Sequence, residues 1–261
     1  MNETITAPKI IKKIFIRGTI TVLTGLHIGG SSVAMSIGGA DKVVVRNPLT
    51  NEPYIPGSSL RGKMRALLER FRGLEQKTGE GGFSYENGKA DAGKNPKTDL
   101  GKLFGVAADE KRKEQNEPTR LIVRDAHLTK DSKTALENAP NTDMPMTEVK
   151  TEVNIDRITS AANPRNFERV PAGAEFNFEL VLTLLTGDDE DKFLNLVREG
   201  MELIQDDSLG GHGSRGYGLV QFTVQETKER TADNYLNRQP ATPITTAIFA
   251  SFTKASDPQT A

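Results

Sequence analysis

The stretch "EFNFELVLTLL", residues 175–185, places Phe176, Phe178, Leu180, Leu182 and Leu184 at every second position. Successive side chains of a strand point to opposite faces, so this segment presents one continuous apolar face to a core. The same alternation recurs at 10–24, where Ile14, Ile16, Ile20 and Val22 oppose Lys13, Arg17, Thr19 and Thr21. "TRLIVRDAHL" (119–128) and "YGLVQFTVQ" (217–225) read as further strands. Between these strands the period changes to that of a helix. Leu60, Met64, Leu67, Leu68 and Phe71 form one stripe, with Ser58 or Ser59 as the expected N-cap. Phe193, Val197, Met201 and Ile204 form another after the acidic "TGDDED", whose charges suit a helix start.

The order is strand, helix, strand, polar arm, strand, helix, strand. It predicts an α+β fold of the ferredoxin-like type, an antiparallel sheet with two helices on one face. Hydrophobic residues make up 36% of the 261 and charged residues 26%, which leaves segments too polar for a shared core. A single domain over 1–226 is therefore expected. It would carry a long polar insertion at about 73–117 and a projecting hairpin at about 144–172, with a polar tail over 227–261. "KVVVRNPLTNEPYIPG" reads as a further small hairpin.

Several chemistries drop out on residue content. Without cysteine there is no disulfide, no thiolate-bound zinc and no thiol nucleophile. His27, His127 and His212 lack metal-ligand spacing, and no Gly-x-Ser-x-Gly elbow occurs. No apolar run reaches the ~20 residues that span a bilayer. The first residues also lack the apolar stretch of a signal peptide. A cytoplasmic protein without membrane contact is expected. Thirty-four basic against thirty-five acidic residues give a net charge of −1, so any affinity for nucleic acid must come from local clustering.

Four stretches cluster charge or glycine in that way. "GSSLRGKMRALLERFR" sets Arg61, Lys63, Arg65, Arg70 and Arg72 against a single Glu69, behind a helix N-terminus with two serine hydroxyls, an arrangement suited to phosphate. The same charges also read as a solvated helix face. "LGGHGSRGYGLV" has five glycines in nine residues around Arg215, more than a turn requires, and suits an anion-binding concavity of backbone N–H groups. The polar arm interleaves Arg157, Arg165 and Arg169 with Ile155, Ile158 and Phe167, the pattern of a wedge that also holds phosphates, or of a hairpin with its own small cluster. Finally, "HIGGSSVAMSIGGADKVVV" is a supple connector ending on one carboxylate, Asp41, which by itself reads as an ordinary loop acid.

Taken in order, "TGLHIGG", "IPGSSLRGKMRALLER", "TEVKTEVNIDRITSAANPR" and "LGGHGSRGYGLV" closely resemble the backbone RAMP subunit of type III-A (Csm-type) CRISPR effector complexes. The resemblance spans most of residues 10–226 and leaves out the 73–117 insertion and the tail. It implies a modified RNA-recognition fold whose copies stack head to tail along a CRISPR RNA and meet other subunits of the complex. A thumb hairpin would displace nucleotides of the guide–target duplex, and complementary target RNA would be cut at regular intervals with a divalent metal, Mg²⁺ or Mn²⁺. Asp41 matches the essential aspartate, as metal ligand or as proton acceptor. His27, Ser58, Ser59, Arg61, Lys63 and Arg65 would lie along the guide. So would Arg157, Arg165, Gly211, Gly213, Ser214, Arg215 and Gly216. Asp125, Glu148, Glu152 and Glu168 are secondary candidates for tuning cleavage or assembly. The alternatives are a scaffold subunit with an inert Asp41 and a metal-free CRISPR RNA-processing nuclease working through His, Tyr or Lys.

Overall fold

The computed structural model describes residues 8–30, 42–72, 84–86, 89–91, 98–106 and 118–252. Along the chain, β1 (Ile10–Val22), the two-residue β2 (Tyr54–Ile55) and α1 (Gly57–Phe71) precede a small hairpin, β3 (Ser84–Glu86) with β4 (Lys89–Asp91), and α2 (Asp99–Phe104). Next come β5 (Leu121–Val123), β6 (Ala126–Leu128), α3 (Lys130–Glu137), β7 (Glu148–Ile155), β8 (Ala162–Arg169) and β9 (Glu175–Leu185). Then follow α4 (Glu190–Asp206), a 3-10 turn at Gly213–Arg215, β10 (Val220–Thr231), α5 (Ala232–Leu236), β11 (Thr242–Pro243) and a 3-10 segment at Ala247–Phe252.

The main sheet runs β11-β10-β1-β9-β6-β2, with β5 also on β9, and every pairing is antiparallel. The strands flanking the two long helices thus lie in the order fourth, first, third, second, which is the ferredoxin-like topology expected from the sequence. β1 pairs along its length with both β9 and β10. Its Ile14, Ile16, Ile20 and Val22 therefore join Phe176, Leu180 and Leu182 in one buried cluster. The stripes of α1 (Leu60, Met64, Leu68) and α4 (Phe193, Val197, Met201, Ile204) close that cluster. Each such side chain contributes about 1.5–3 kcal/mol on burial. The helices cross closely at Gly200, where a Cβ would sit 2.3 Å from Met64 Cγ. Asp189 caps α4 by accepting the Lys192 N–H at 3.1 Å, as the acidic start predicts.

Four expectations change. The N-cap of α1 is Pro56, not a serine, and the Gly57 N–H donates instead to Asp125 Oδ1 at 2.7 Å. That contact explains why 119–128 is two short strands: Arg124 and Asp125 interrupt the ladder so that the carboxylate can reach the helix. Part of the span read as a polar insertion belongs to the core, because Leu100, Leu103 and Phe104 of α2 are buried. The expected tail is folded as far as Phe252. β10 runs on to Thr231, and Phe249 and Phe252 join the core, with Phe252 edge-on to Phe222 at 6.4 Å. Two aromatic anchors suffice to hold a stretch whose average composition is polar.

Candidate nucleic-acid interface

The polar arm is a two-stranded hairpin. β7 and β8 pair from Glu148↔Arg169 at the root to Ile155↔Ala162 near the tip. At the tip, Asp156 Oδ1 accepts the N–H groups of Ile158 (2.9 Å) and Thr159 (2.8 Å), and these bonds hold its carboxyl below the usual carboxylate range. Ile158 is 95% exposed, and Val153, Ile155, Arg157 and Arg165 are exposed with it. Apolar side chains so placed have no partner within this chain's core, which suits a wedge.

The root is fixed where the glycine-rich connector leaves and returns. Leu26 and Val170 exchange backbone hydrogen bonds of 2.9 and 2.8 Å. Lys42 N donates to Asn166 O at 3.3 Å, and Glu168 N donates to Lys42 O at 2.9 Å. Gly30 N meets Val43 O at 2.9 Å, so the two ends of the connector are held side by side against β8. Asp41, the residue before Lys42 and the expected catalytic and metal-binding group, lies outside the described residues.

Glu168 locks this root. Its carboxylate is 1% exposed and accepts from Val44 N (2.8 Å), Thr147 Oγ1 (2.6 Å) and the Arg46 guanidinium. With both oxygens occupied inside the protein, it is a structural anchor and cannot face RNA or a metal. Glu148 likewise pairs with Arg169 at 2.6 Å across the base of the hairpin. Glu152 stands near the Tyr217 hydroxyl and 3.8 Å from Arg215 Nε.

Around the root the structure gathers four rings. His212 lies 4.5 Å from Phe167, 5.6 Å from Tyr217 and 5.7 Å from His27, centroid to centroid. His27 is buried and donates from Nδ1 to Glu168 O at 2.6 Å, because a carbonyl can only accept. The Tyr217 ring carries Lys150 Nζ at 4.7 Å and the Arg169 guanidinium carbon at 5.1 Å, both in cation–π range. Burial, helped by the Glu152 carboxylate, pushes the Tyr217 hydroxyl up to about 12. The cations Lys150 and Arg169 thus lie over the Tyr217 ring, and Arg215 meets the His212 ring at Nδ1. The sequence spacing does not reveal His212 and Lys150 as members of this cluster; it is the β7–β8 register that brings Lys150 beside Phe167.

The glycine loop behaves differently from its expected role. Gly210, Gly216 and Gly218 have φ near +80°, +81° and +72°. A Cβ at Gly213 would lie 2.1 Å from Ser208 Oγ, so four of the five glycines answer local demands of the turn. The N–H groups of Gly211, Arg215 and Gly216 donate internally. The anion-binding concavity therefore narrows to Gly213, Ser214 and the exposed Arg215 side chain.

The basic flank of α1 divides. The guanidinium groups of Arg61 and Arg65 donate to the carbonyls of Phe104 and Gly105 at the end of α2, Arg65 at 2.9 Å, and Arg65 also pairs with Glu69 at 2.7 Å. Burial, with the nearby Arg65 charge, depresses the Arg61 pKa. Arg72 pairs with Glu199 of α4. Lys63 turns the other way, to Asp207 at 3.3 Å, and Asp207 adjoins the Ser208 that packs under Gly213. Ser58 is exposed and Ser59 half-buried in the first turn, whose leading N–H is already taken by the Asp125 carboxylate. The open face of the sheet offers a cleft of about 620 Å³. It is crossed by the pairs Arg17–Glu179, Arg17–Glu226 and Arg124–Glu179, and its lining includes His127, stacked on Tyr54 at 5.7 Å.

Among the described residues no three His, Asp or Glu side chains could jointly hold a metal ion, and the carboxylates at the root are committed to cations or amides. No helix among the described residues is long and apolar enough to cross a membrane.

Comparison with known proteins agrees with this architecture. The RAMP superfamily profile matches residues 19–221. The protein named CRISPR system Cms endoribonuclease Csm3 from Methanothermobacter thermautotrophicus is 40% identical over 242 residues, covering 86% of this chain and 89% of that protein. The Streptococcus thermophilus protein of the same name is 40% identical over 217 residues, covering 80% and 87%. Among solved structures, Methanopyrus kandleri Csm3 superposes with a TM-score of 0.58 at 25% identity, over 88% of this chain and 80% of that one. A chain of a Csm3–Csm4 subcomplex from a type III-A interference complex gives 0.55 at 26% identity, over 93% and 94%. With its thumb hairpin, split βαβ core and matching relatives over nearly its whole length, this chain belongs to the RAMP superfamily, in the Csm3 group.

Proposed function

We propose that this chain is a CRISPR-RNA-binding filament subunit of a type III-A interference complex and an RNA-guided endoribonuclease that cuts complementary target RNA at regular intervals. The observation that carries the reading is the thumb root. Lys42, which follows Asp41 in the chain, is hydrogen-bonded into β8 beside a floor of rings and cations. The relatives named as endoribonucleases support the activity, and the type III-A subcomplex supports partners of the same kind.

In this reading phosphates of the guide and target meet Lys63, Arg215, the free amides of Gly213 and Ser214, and the thumb cations Arg157 and Arg165. His27 stands behind them, and Arg61 and Arg65 support the path by holding α2. Ile158 and its neighbours part the duplex at each copy, and that spacing sets the interval between cuts. Head-to-tail copies form an open, non-closing stack in the cytoplasm. Asp41 and phosphate oxygens of the RNA would hold a divalent ion, in keeping with the preference of Mg²⁺ for one or two carboxylates beside phosphate. It would neutralise charge developing at the cleaved linkage.

A second reading draws on His212, Tyr217 and Lys150, the residue types of a metal-free processing nuclease. Against it, Tyr217 is 1% exposed and its proton is held up to about 12. One assay separates the readings. The chain is assembled on guide RNA, complementary target or repeat RNA is added, and cleavage of each is followed with Mg²⁺ and with EDTA. Periodic cutting abolished by EDTA supports the proposal. Cutting of repeat RNA in EDTA supports the second reading, and absence of any cutting by the assembled wild type supports a scaffold.

A further inference from the structure

His212 adopts a left-handed backbone, φ 63° and ψ 22°, at the head of the Gly213–Arg215 turn. A side chain pays in strain for that conformation, and the chain places glycine at the comparable Gly216. What the imidazole does there follows from its contacts. Its ring is wedged against Phe167, Tyr217 and His27. Its Nδ1 lies 2.9 Å from Arg215 Nη1, and since a guanidinium only donates, Nδ1 accepts. On the other side of the same guanidinium, Glu152 of β7 lies 3.8 Å from Nε. The Arg215 side chain is 60% exposed, so its remaining N–H groups face solvent at the thumb root.

We propose that His212 is a positioning residue that holds the Arg215 guanidinium between the glycine loop and the thumb, aimed at an RNA phosphate. The inference rests on the RNA-binding reading above and assigns Arg215 as the group through which His212 acts. The bond requires a neutral imidazole. Burial, followed by the charges or polarity of His27, Arg215 and Lys42, lowers the His212 pKa from its ordinary value, while Glu152 opposes them; Lys150 and Arg169 lie across the Tyr217 ring. At neutral pH Nδ1 is free to accept. In acid it becomes a donor and repels Arg215.

The test measures binding of the full chain to a labelled single-stranded RNA at fixed salt, with thermal melts alongside. His212→Ala should weaken binding about five- to tenfold, the scale of one ordinary intramolecular hydrogen bond. His212→Asn, which tolerates the left-handed backbone and can offer Oδ1 in place of Nδ1, should stay within about twofold of wild type. The double variant His212→Ala/Arg215→Ala should bind no worse than Arg215→Ala. Wild-type affinity should fall more steeply than that of His212→Asn as pH falls below the ordinary imidazole value of about 6.5. Undiminished binding by His212→Ala, independent losses in the double variant, or the same acid response in wild type and His212→Asn would each overturn the proposal while leaving RNA binding intact. If His212→Ala does not fold, the pH comparison of wild type with His212→Asn decides. A wild type that binds no RNA overturns the functional reading, and this proposal with it.

Discussion

Glu168 shows what a single residue does at the thumb root. From sequence it is one acid among several in a polar arm. In the fold it is a buried anion whose cost is met by a guanidinium, a hydroxyl and a backbone amide. Removing one partner of such a group leaves the others unpaired, so Glu168→Ala should destabilise the chain by about 3–5 kcal/mol in denaturant melts. Glu148→Ala at the more exposed pair should cost under about 1 kcal/mol. Equal effects would contradict the anchor role. Arg120 and Asp188 form a second buried pair, 2.8 and 3.1 Å apart through two nitrogens. Desolvation opposes ionisation of Asp188, yet the Arg120 bonds and the Leu185 amide outweigh it and hold its pKa below the ordinary value. A depressed carboxylate pKa stabilises the native state above the unfolded value, near pH 4, and that contribution is lost as pH falls through the folded value. The acid limb of a melting-temperature profile should therefore be shallower in Asp188→Asn, which starts from a lower stability at neutral pH.

At the scale of elements, the crossing of α1 and α4 depends on the missing side chain of Gly200. Alanine there gains up to about 1 kcal/mol of helix propensity but forces Met64 aside. Gly200→Val should cost about 2 kcal/mol by overpacking, and Met64→Ala in the same chain should recover part of it. Additive losses would mean that the helices do not meet there. The thumb gives the opposite case. Ile158→Ser should leave the melt within about 0.5 kcal/mol of wild type while disturbing the pattern of target cleavage. An unaltered cleavage pattern would remove the tip from duplex parting. These contrasts explain what was legible in the sequence. The sheet and both long helices announce themselves, because period two and period 3.6 come directly from burying one face. The short α2 and the 247–252 segment were hidden, since two or three anchors in a polar stretch make no period. The partners of Arg61 and Arg65 were equally hidden, because carbonyls at the end of α2 leave no mark on the composition around them. The glycine loop was legible as unusual, but its density serves positive φ and close packing more than ligand contact.

At the scale of the molecule, a near-neutral chain divides its positive charge between two uses. Among the described residues, most cations pair with carboxylates or carbonyls and hold elements together, while Arg157, Arg165 and much of the Arg215 side chain face outward at the thumb. Salt dependence should reflect that division. Arg215→Ala should flatten the slope of log affinity against log salt by somewhat under one unit, whereas Arg61→Ala should leave the slope unchanged and lower the melting temperature. Equal slopes for all three proteins would place the phosphate path elsewhere. In the proposed function, Asp41, next to the Lys42 that is hydrogen-bonded into β8, is the carboxylate that meets a target RNA linkage. The most direct measurement compares wild type and Asp41→Ala, each assembled on guide RNA, for binding and cleavage of complementary RNA in Mg²⁺. The account predicts equal assembly and target binding, with periodic cuts made only by the wild type. Undiminished cutting by Asp41→Ala would contradict it.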